Sequence, residues 1–411
     1  MEYYNKYFEG VFWLPGKEER KIISTLFIDK KGIAIITSLE SLEINEDLFN
    51  RIWDNFNLVL GYINCNEKSK TYSIKLYDVY KIHQSSGALT KFKYKSNNPL
   101  ICSYYDEEIN LNSYSSIMLN SVILNNWIPI SGFETKPNVE NKSFEISQFY
   151  KQPEIIELFK NKDYEIYLFF RASAGFKSRR NSYINENIFL NIEISKQFEI
   201  KELTKIKSTI EKLFNIILFT SFYFENVEIK TKNKNPYKII KKPKELNSSL
   251  NYKIEFESFK NQSQNIFSNW FEKQNKLELA IVNFFSVFGQ KGVLIENKFL
   301  TYISILENYH KNNVNENGYL KSRLKYLLEK SSINEELNDI VKYSERLKIT
   351  RNYHAHLEEK HKDKSLKTEE IVKANNLLEF VIREIFLREI GITEIPKMSS
   401  YLNEYLKTLN E

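Results

Sequence analysis

The chain's 411 residues exceed what one small domain needs, and 42% hydrophobic with 27% charged side chains describes a globular protein of two domains. A net charge of +6, from 59 Lys or Arg against 53 Asp or Glu, permits nucleic-acid binding without demanding it. Two cysteines, Cys65 and Cys102, with no C-x-x-C pair, exclude a zinc ribbon or dithiol redox motif and fit a reducing, cytoplasmic setting, and 11 glycines with 8 prolines exclude a collagen-like or proline-rich tract.

The opening "MEYYNKYFEGVFWLPG" carries acids early and no basic stretch before an apolar core, so it does not read as a secretory signal. From there to about residue 260 the chain is a series of short segments rich in Ile, Tyr, Phe and Val. "VFWLP", "KIISTLFID", "GIAIITSLE", "NLVLGYIN", "TYSIKLYDV", "LICSYY", "SIMLNSVIL", "YEIYLFFRA" and "NIFLNIEIS" mostly alternate apolar with polar residues and predict strands of an antiparallel sheet. Helices are expected at "PEIIELFKN" (153–161) and "IKELTKIKSTIEKLFNIILF" (200–219). The basic stretch "KTKNKNPYKIIKKPK" (230–244) reads as a solvated loop and edge strand, with a phosphate-binding surface in which Tyr237 stacks as the alternative. "FRASAGFKSRR" (170–180) is a second basic loop open to the same two readings. The longest apolar runs, such as "LFNIILFTSFYF" (213–224), are too short to span a membrane.

After about Asn261 the period changes. "SNWFEKQNKLELAIVNFFSVFG" ends at Gly289, a helix stop, and its Phe284, Phe285 and Phe288 read as core. "LIENKFLTYISILENYHKN" places Phe299, Tyr302, Ile303, Leu306 and Tyr309 on one stripe. "GYLKSRLKYLLEK" is a shorter helix, and "SSINEELNDIVKYSERLKIT" opens on Ser332 and Glu335 with the spacing of a capping box. "LKTEEIVKANNLLEFVIREIFLREIG" is long and ends near Gly391. Together these predict an α+β protein: a β-rich domain over residues 1–265 and an all-helical bundle over 266–411, joined through an interdomain segment at about 231–265.

Three of the five histidines, His354, His356 and His361, sit just after Arg351 in "SERLKITRNYHAHLEEKH". On the preceding helix, expected over 334–350, the inward stripe is Leu337, Ile340, Val341, Ser344 and Leu347, which Arg351 extends. An inward guanidinium needs an anion, and Glu307, at the edge of its own stripe, is the candidate partner. Arg351 and His356 are five residues apart, about 140° round an ideal helix, so direct contact is not expected within a continuing helix. Either the helix ends inside the motif, as the polar "EEKHKDKS" suggests, or a second copy of the chain completes the site. His354 is nearer in helical phase, and Asn352 shares a face with His356. The i+2 spacing of His354 and His356 does not suit a zinc site on a helix, so no metal or other cofactor is expected. His310, near its helix end, reads as a cap for carbonyls.

"RNYHAH", placed between an amphipathic helix and a long final helix, resembles the R-x4-6-H motif of the HEPN superfamily, down to the Asn after the Arg. Independently, "FEGVFWLPGKEERKIISTLFIDKKGIAIIT" is similar to the opening of the ApeA family, with Thr25 where that family usually has glycine. The resemblance implies a prokaryotic anti-phage protein: a HEPN endoribonuclease working without metal, dimerising across its bundle and restrained by its N-terminal domain until a phage-derived trigger arrives. RNA, tRNA being a common choice, would be the substrate. In that reading His356 moves protons, Arg351 stabilises the phosphate, Asn352 orients either, and Glu307 and His354 are further candidates; a residue titrating near neutrality beside a fixed fork of donors suits the chemistry. The rival reading is a non-catalytic HEPN module for dimerisation or RNA binding, with the function held by the β-rich domain. An NTPase or a DNA nuclease has no support, since no G-x4-G-K-[ST] and no clustered metal carboxylates occur.

Overall fold

A computed structural model of the protein describes residues 3–42, 55–65, 70–85, 90–102, 104–106, 109, 113–140, 143–178, 181–220, 222–231, 236–240, 254–290, 292–394 and 400–410. The chain divides into two compact units, Met1–Ile206 with Tyr223–Glu245, and Lys207–Phe222 with Leu246–Glu411.

The first unit begins with six strands: β1 (Lys6–Trp13), β2 (Ile22–Ile28), β3 (Ala34–Ser38), β4 (Asn55–Cys65), β5 (Lys70–Ser85) and β6 (Lys91–Ser96). All pair antiparallel in the cyclic order β5-β4-β1-β2-β3-β6-β5, which closes a barrel. Closure depends on the length of β5. Its 16 residues give Lys70–Tyr80 to β4 and Tyr80–Ser85 to β6. Alternation decides the faces: Ile22, Leu26 and Ile28 are buried, while Ile23 is 81% exposed. Phe8, Phe12, Val59, Ile63, Ile74 and Tyr94 belong to the same core. Gly10 and Gly61 let β1 and β4 approach closely. A Cβ on Gly10 would stand 2.3 Å from the Tyr62 carbonyl oxygen, and one on Gly61 2.5 Å from the Phe12 ring.

The outer side of β5 carries β7 (Asn98–Cys102), and the sheet runs on through β8 (Tyr114–Asn120), β11 (Ile156–Lys160), β12 (Tyr164–Ser178), β13 (Asn181–Phe198), β14 (Asn226–Lys230) and β15 (Tyr237–Ile239) in the order β7-β15-β14-β8-β13-β12-β11. β9 (Phe133–Glu140) and β10 (Ser143–Tyr150) form a separate hairpin. Four expectations change here. "PEIIELFKN" is strand β11, because pairing with β12 outweighs an ambiguous short pattern. "SIMLNSVIL" is half strand and half helix α1 (Val122–Trp127), since the Ser121 side chain accepts the Ile123 N–H and starts a helix. Most of "FRASAGFKSRR" continues β12, paired with β13, with residues 179–180 outside the described ones. In "KTKNKNPYKIIKKPK", β15 is an interior strand rather than an edge, and Tyr237 is 1% exposed with its hydroxyl donated to Asp106 at 2.6 Å, so it offers no stacking face; 232–235 and 241–244 lie outside the described residues.

α2 (Ile200–Leu218) follows β13 as expected, and the second unit then takes in α3 (Phe256–Val287), α4 (Ile295–Asn313), α5 (Leu320–Lys330), α6 (Ile340–His356), α7 (Thr368–Glu389) and α8 (Ser400–Asn410). Residue 265 therefore lies inside α3 rather than at its start. α3 and α7 end before Gly289 (φ 66°) and Gly391 (φ 89°), the left-handed stops the sequence marks. Phe284 packs against Tyr302 and Phe386, and Trp270 donates its indole N–H to the Thr209 carbonyl at 3.0 Å. The capping box at Ser332 does not form. Ser332–Glu335 is a 3-10 turn, and the Ser332 backbone N–H (2.9 Å) and hydroxyl (3.0 Å) both go to the buried Glu384 of α7. α6 starts later, capped by Asp339, which accepts the Lys342 N–H at 2.8 Å.

Gly10→Ala should destabilise the barrel by about 1–3 kcal/mol, the cost of overpacking against rigid backbone; a thermal melt that leaves its transition unmoved would show that β1 and β4 do not need the close approach.

Candidate functional site: the C-terminal end of the sixth helix

α6 buries Ile340, Tyr343, Ser344, Leu347 and Thr350. Val341, expected inward, is 47% exposed. The buried face therefore lies further round the helix than expected, and Arg351 borders it, half-buried, instead of extending its centre. The helix stops at His356 because Leu357 takes the left-handed conformation (φ 54°, ψ 37°) and donates its N–H to the Tyr353 carbonyl at 2.8 Å. For a branched residue that conformation costs about 1–2 kcal/mol, so something must hold it. A 3-10 turn over Glu359–Lys364 carries the chain back, and the Leu366 N–H reaches the buried Thr350 hydroxyl at 2.9 Å. Arg346 and Glu370 close the return with an ion pair of 2.8 Å.

At this helix end Arg351 Nη1 lies 2.9 Å from His356 Nε2 and donates to Asn352 Oδ1 at 3.2 Å. A guanidinium only donates, so in this contact the His356 Nε2 is the acceptor. The expected separation of the two residues is thus overturned, and one chain alone brings them together. The 140° phase separates the Cβ positions, but a long arginine covers the rise of about 7.5 Å over five residues when no further helical turn stands in its way. Asn352, expected to share the face of His356, holds Arg351 instead. Among the described residues, Arg351 Nη2 and Nε make no other bond, and His356 is exposed.

The chain matches the family model for ApeA N-terminal domain 1 over residues 8–270 and that for the Apea-like HEPN domain over residues 300–395. It belongs to the ApeA family. No curated protein and no solved structure matches it. The Arg351–His356 pair lies within the matched HEPN region, and ApeA membership supports a HEPN-type nuclease role in abortive infection. Among the described residues no helix is long and apolar enough to cross a membrane.

The other candidates of this ApeA member fall elsewhere. Glu307 pairs with Arg323 at 3.7 Å, not with Arg351, because the guanidinium of α5 is the one that faces α4 there. His354 turns its ring edge to Tyr353, with centroids 4.8 Å apart, and does not join the Arg351 cluster. His361 meets Glu358 at 3.1 Å. Glu358 is a neighbour that the sequence reading passed over. Lys360, bonded at 2.9 Å, holds its carboxyl below the usual carboxylate range, with smaller contributions from His361 and His356. Its place two residues beyond His356, where the chain turns back, was the available signal.

As expected, His310 bonds backbone just past the end of α4, at Asn315. It is buried edge-on to Tyr326 at 5.1 Å, and among the described residues its Nδ1 has no partner. Burial lowers its pKa, a backbone hydrogen bond at Asn315 opposes that, and the nearby Arg323 guanidinium adds to it. The unfolded chain therefore takes up this proton more readily than the folded one. Its contribution to stability is complete above about pH 6.5 and is lost as pH falls below that. His310→Gln should flatten this slope, which urea unfolding at pH 5 and pH 8 would read.

Thr350→Val should leave the Leu366 N–H unpaired, at a cost of about 1–3 kcal/mol, and Thr350→Ser should not. Hydrogen exchange over 357–367 that is equally slow in both variants would count against Thr350 as the anchor of the return.

Proposed function

We propose that this protein is an abortive-infection endoribonuclease that cleaves cellular RNA by metal-independent transesterification, with Arg351 and His356 as its catalytic residues. The observation that carries the reading is the 2.9 Å contact between Arg351 Nη1 and His356 Nε2 on an accessible helix end inside the matched HEPN region.

The resting contact suggests how substrate engages. The guanidinium keeps donors at Nη2 and Nε for a phosphate, and a phosphate also competes for Nη1. Movement of Nη1 onto the phosphate frees the Nε2 lone pair of His356, which then takes the proton of the ribose 2′-hydroxyl. The 2′-oxygen attacks phosphorus, the bond from phosphorus to the 5′-oxygen breaks, and Arg351 balances the charge gathering on the phosphoryl oxygens. The departing 5′-oxygen receives a proton from an imidazolium, supplied by a second motif across a homodimer. The products are a 2′,3′-cyclic phosphate and a 5′-hydroxyl. Asn352 positions Arg351 rather than touching the reacting atoms. tRNA is the RNA class we favour, and the N-terminal unit is the element that restrains the nuclease until a phage-derived trigger releases it.

In infected cells expressing the wild type, sequencing of RNA ends should show new cyclic-phosphate termini. Arg351→Ala and His356→Ala should each lower their yield by about 10²–10⁴-fold, the usual weight of one general acid–base or oxyanion-stabilising group. Cleavage that persists in both variants would overturn the assignment.

A further inference from the structure

The N-terminal unit contains a solvent-open pocket, with Glu193 and Ser195 exposed at its mouth, that the nuclease reading does not use. β13 follows β8 in register from Leu190 to Glu193, paired with Leu119 to Ser116, and then the ladder breaks: the next pair is Phe198 with Tyr114. Four residues of β13, 194–197, thus lie opposite the single Ser115 of β8. β13 bows away from its neighbour and opens a cavity of about 600 Å³, within the range of small-molecule sites.

The register sets out its floor. Lys230 of β14 is opposite Ser116 of β8, and Ser116 is opposite Glu193 of β13, so the three side chains stand in one row on one face. Two strand spacings separate Lys230 from Glu193, about 10 Å. One ring further along, Asn191 is opposite Tyr167. The Tyr167 hydroxyl donates to Glu193 Oε1 at 2.7 Å, and Asn191 reaches the same oxygen at 3.5 Å. Among the described residues Glu193 Oε2 and the Lys230 ammonium make no hydrogen bond or ion pair. Ser195 from the bowed segment and Ser116 add hydroxyls.

The lining is polar nearly throughout, with one cation at one end and one prearranged carboxylate at the other. An apolar ligand would strand these groups without partners. A carboxylate oxygen that only accepts suits sugar hydroxyls, as in recognition of a ribose, and a lone lysine suits a phosphate. We infer that the cavity between β8 and β13 is a binding site for a small phosphorylated sugar, free or as part of a nucleotide, with Glu193 on its hydroxyls and Lys230 on its phosphate. The cavity is built entirely from the unit that does not contain Arg351 and His356.

Calorimetric titration of the full chain tests this with AMP, GMP, ribose 5-phosphate and glucose 6-phosphate, and with adenosine as the unphosphorylated control. At least one phosphorylated compound should bind, and adenosine should bind more weakly. The nucleotides set against the free sugar phosphates tell the two sources apart. Lys230→Ala should weaken the phosphorylated ligand about tenfold or more, the loss of one charged contact, and leave adenosine unchanged. Glu193→Gln should weaken both. Arg351→Ala with His356→Ala should bind as the wild type does. Absence of binding by all four phosphorylated compounds, or binding that survives Lys230→Ala and disappears in the Arg351 and His356 double variant, would overturn the inference.

Discussion

One threonine hydroxyl holds the end of α6, and the site depends on where that helix ends. Thr350 Oγ1 donates to the Arg346 carbonyl at 2.8 Å and accepts the Leu366 N–H at 2.9 Å, so it is used in both directions and is shielded from water. Arg346 reaches Glu370, and the second oxygen of that carboxylate accepts the Lys367 N–H at 2.8 Å. The return segment is thereby fastened along the helix it leaves, which offsets the strained backbone of Leu357. Had α6 continued, position 360 would have risen over His356 as its i+4 neighbour and covered the imidazole. Stopping the helix there leaves the ring open and within reach of Arg351.

That geometry sets the direction of the hydrogen bond between the two residues. Arginine cannot accept, so a short contact between its Nη1 and an imidazole nitrogen requires the lone pair of that nitrogen. In the proposed reaction, the nitrogen that serves as base is occupied in the resting site by the group that a phosphate would draw away. The proposed reaction would thus link binding to base activation through one side chain, and among the described residues the Arg351 side chain bonds only Asn352 and His356. Glu358, nearby and held ionised by Lys360, adds negative charge on the side of the histidines.

How much of this the sequence discloses depends on the range of each interaction. Long helices were legible because a 3.6 period over twenty residues and a glycine stop are local signals: α4, α7 and the ends at Gly289 and Gly391 lie where the pattern puts them. Strands with strong alternation, such as β2 and β3, were legible for the same reason. β11 was not, because five residues fit either period and only β12 decides between them. Ser332 has the local spacing of a capping box, yet a buried carboxylate on α7 takes both of its donors. At the site, the residue types of Arg351 and His356 were legible and their contact was not. Helical phase describes where Cβ atoms point, and a contact between two long side chains at a helix end depends on how the chain leaves, which the Thr350–Leu366 bond sets. Glu307 shows the converse: its stripe position was sound, but its partner came from α5.

The two units share a logic that regular structure alone would not provide. Within a helix or a paired strand the backbone polar groups satisfy one another, and the surface they leave is determined by side chains on a fixed lattice. At the end of α6 and at the break between β8 and β13 that lattice is interrupted, by a left-handed residue in one case and by a four-against-one register in the other. The helix end brings Arg351 to a histidine five residues on, and the strand break opens a cavity beside Tyr167, Asn191, Glu193 and Lys230, which regular register already sets side by side. Each interruption is also braced by well-ordered elements on both sides, α6 against its own return segment and β13 against the long pairing with β12. A site needs groups brought together and then held, and at the end of α6 both conditions are met where a rigid element breaks its own rule next to one that keeps it.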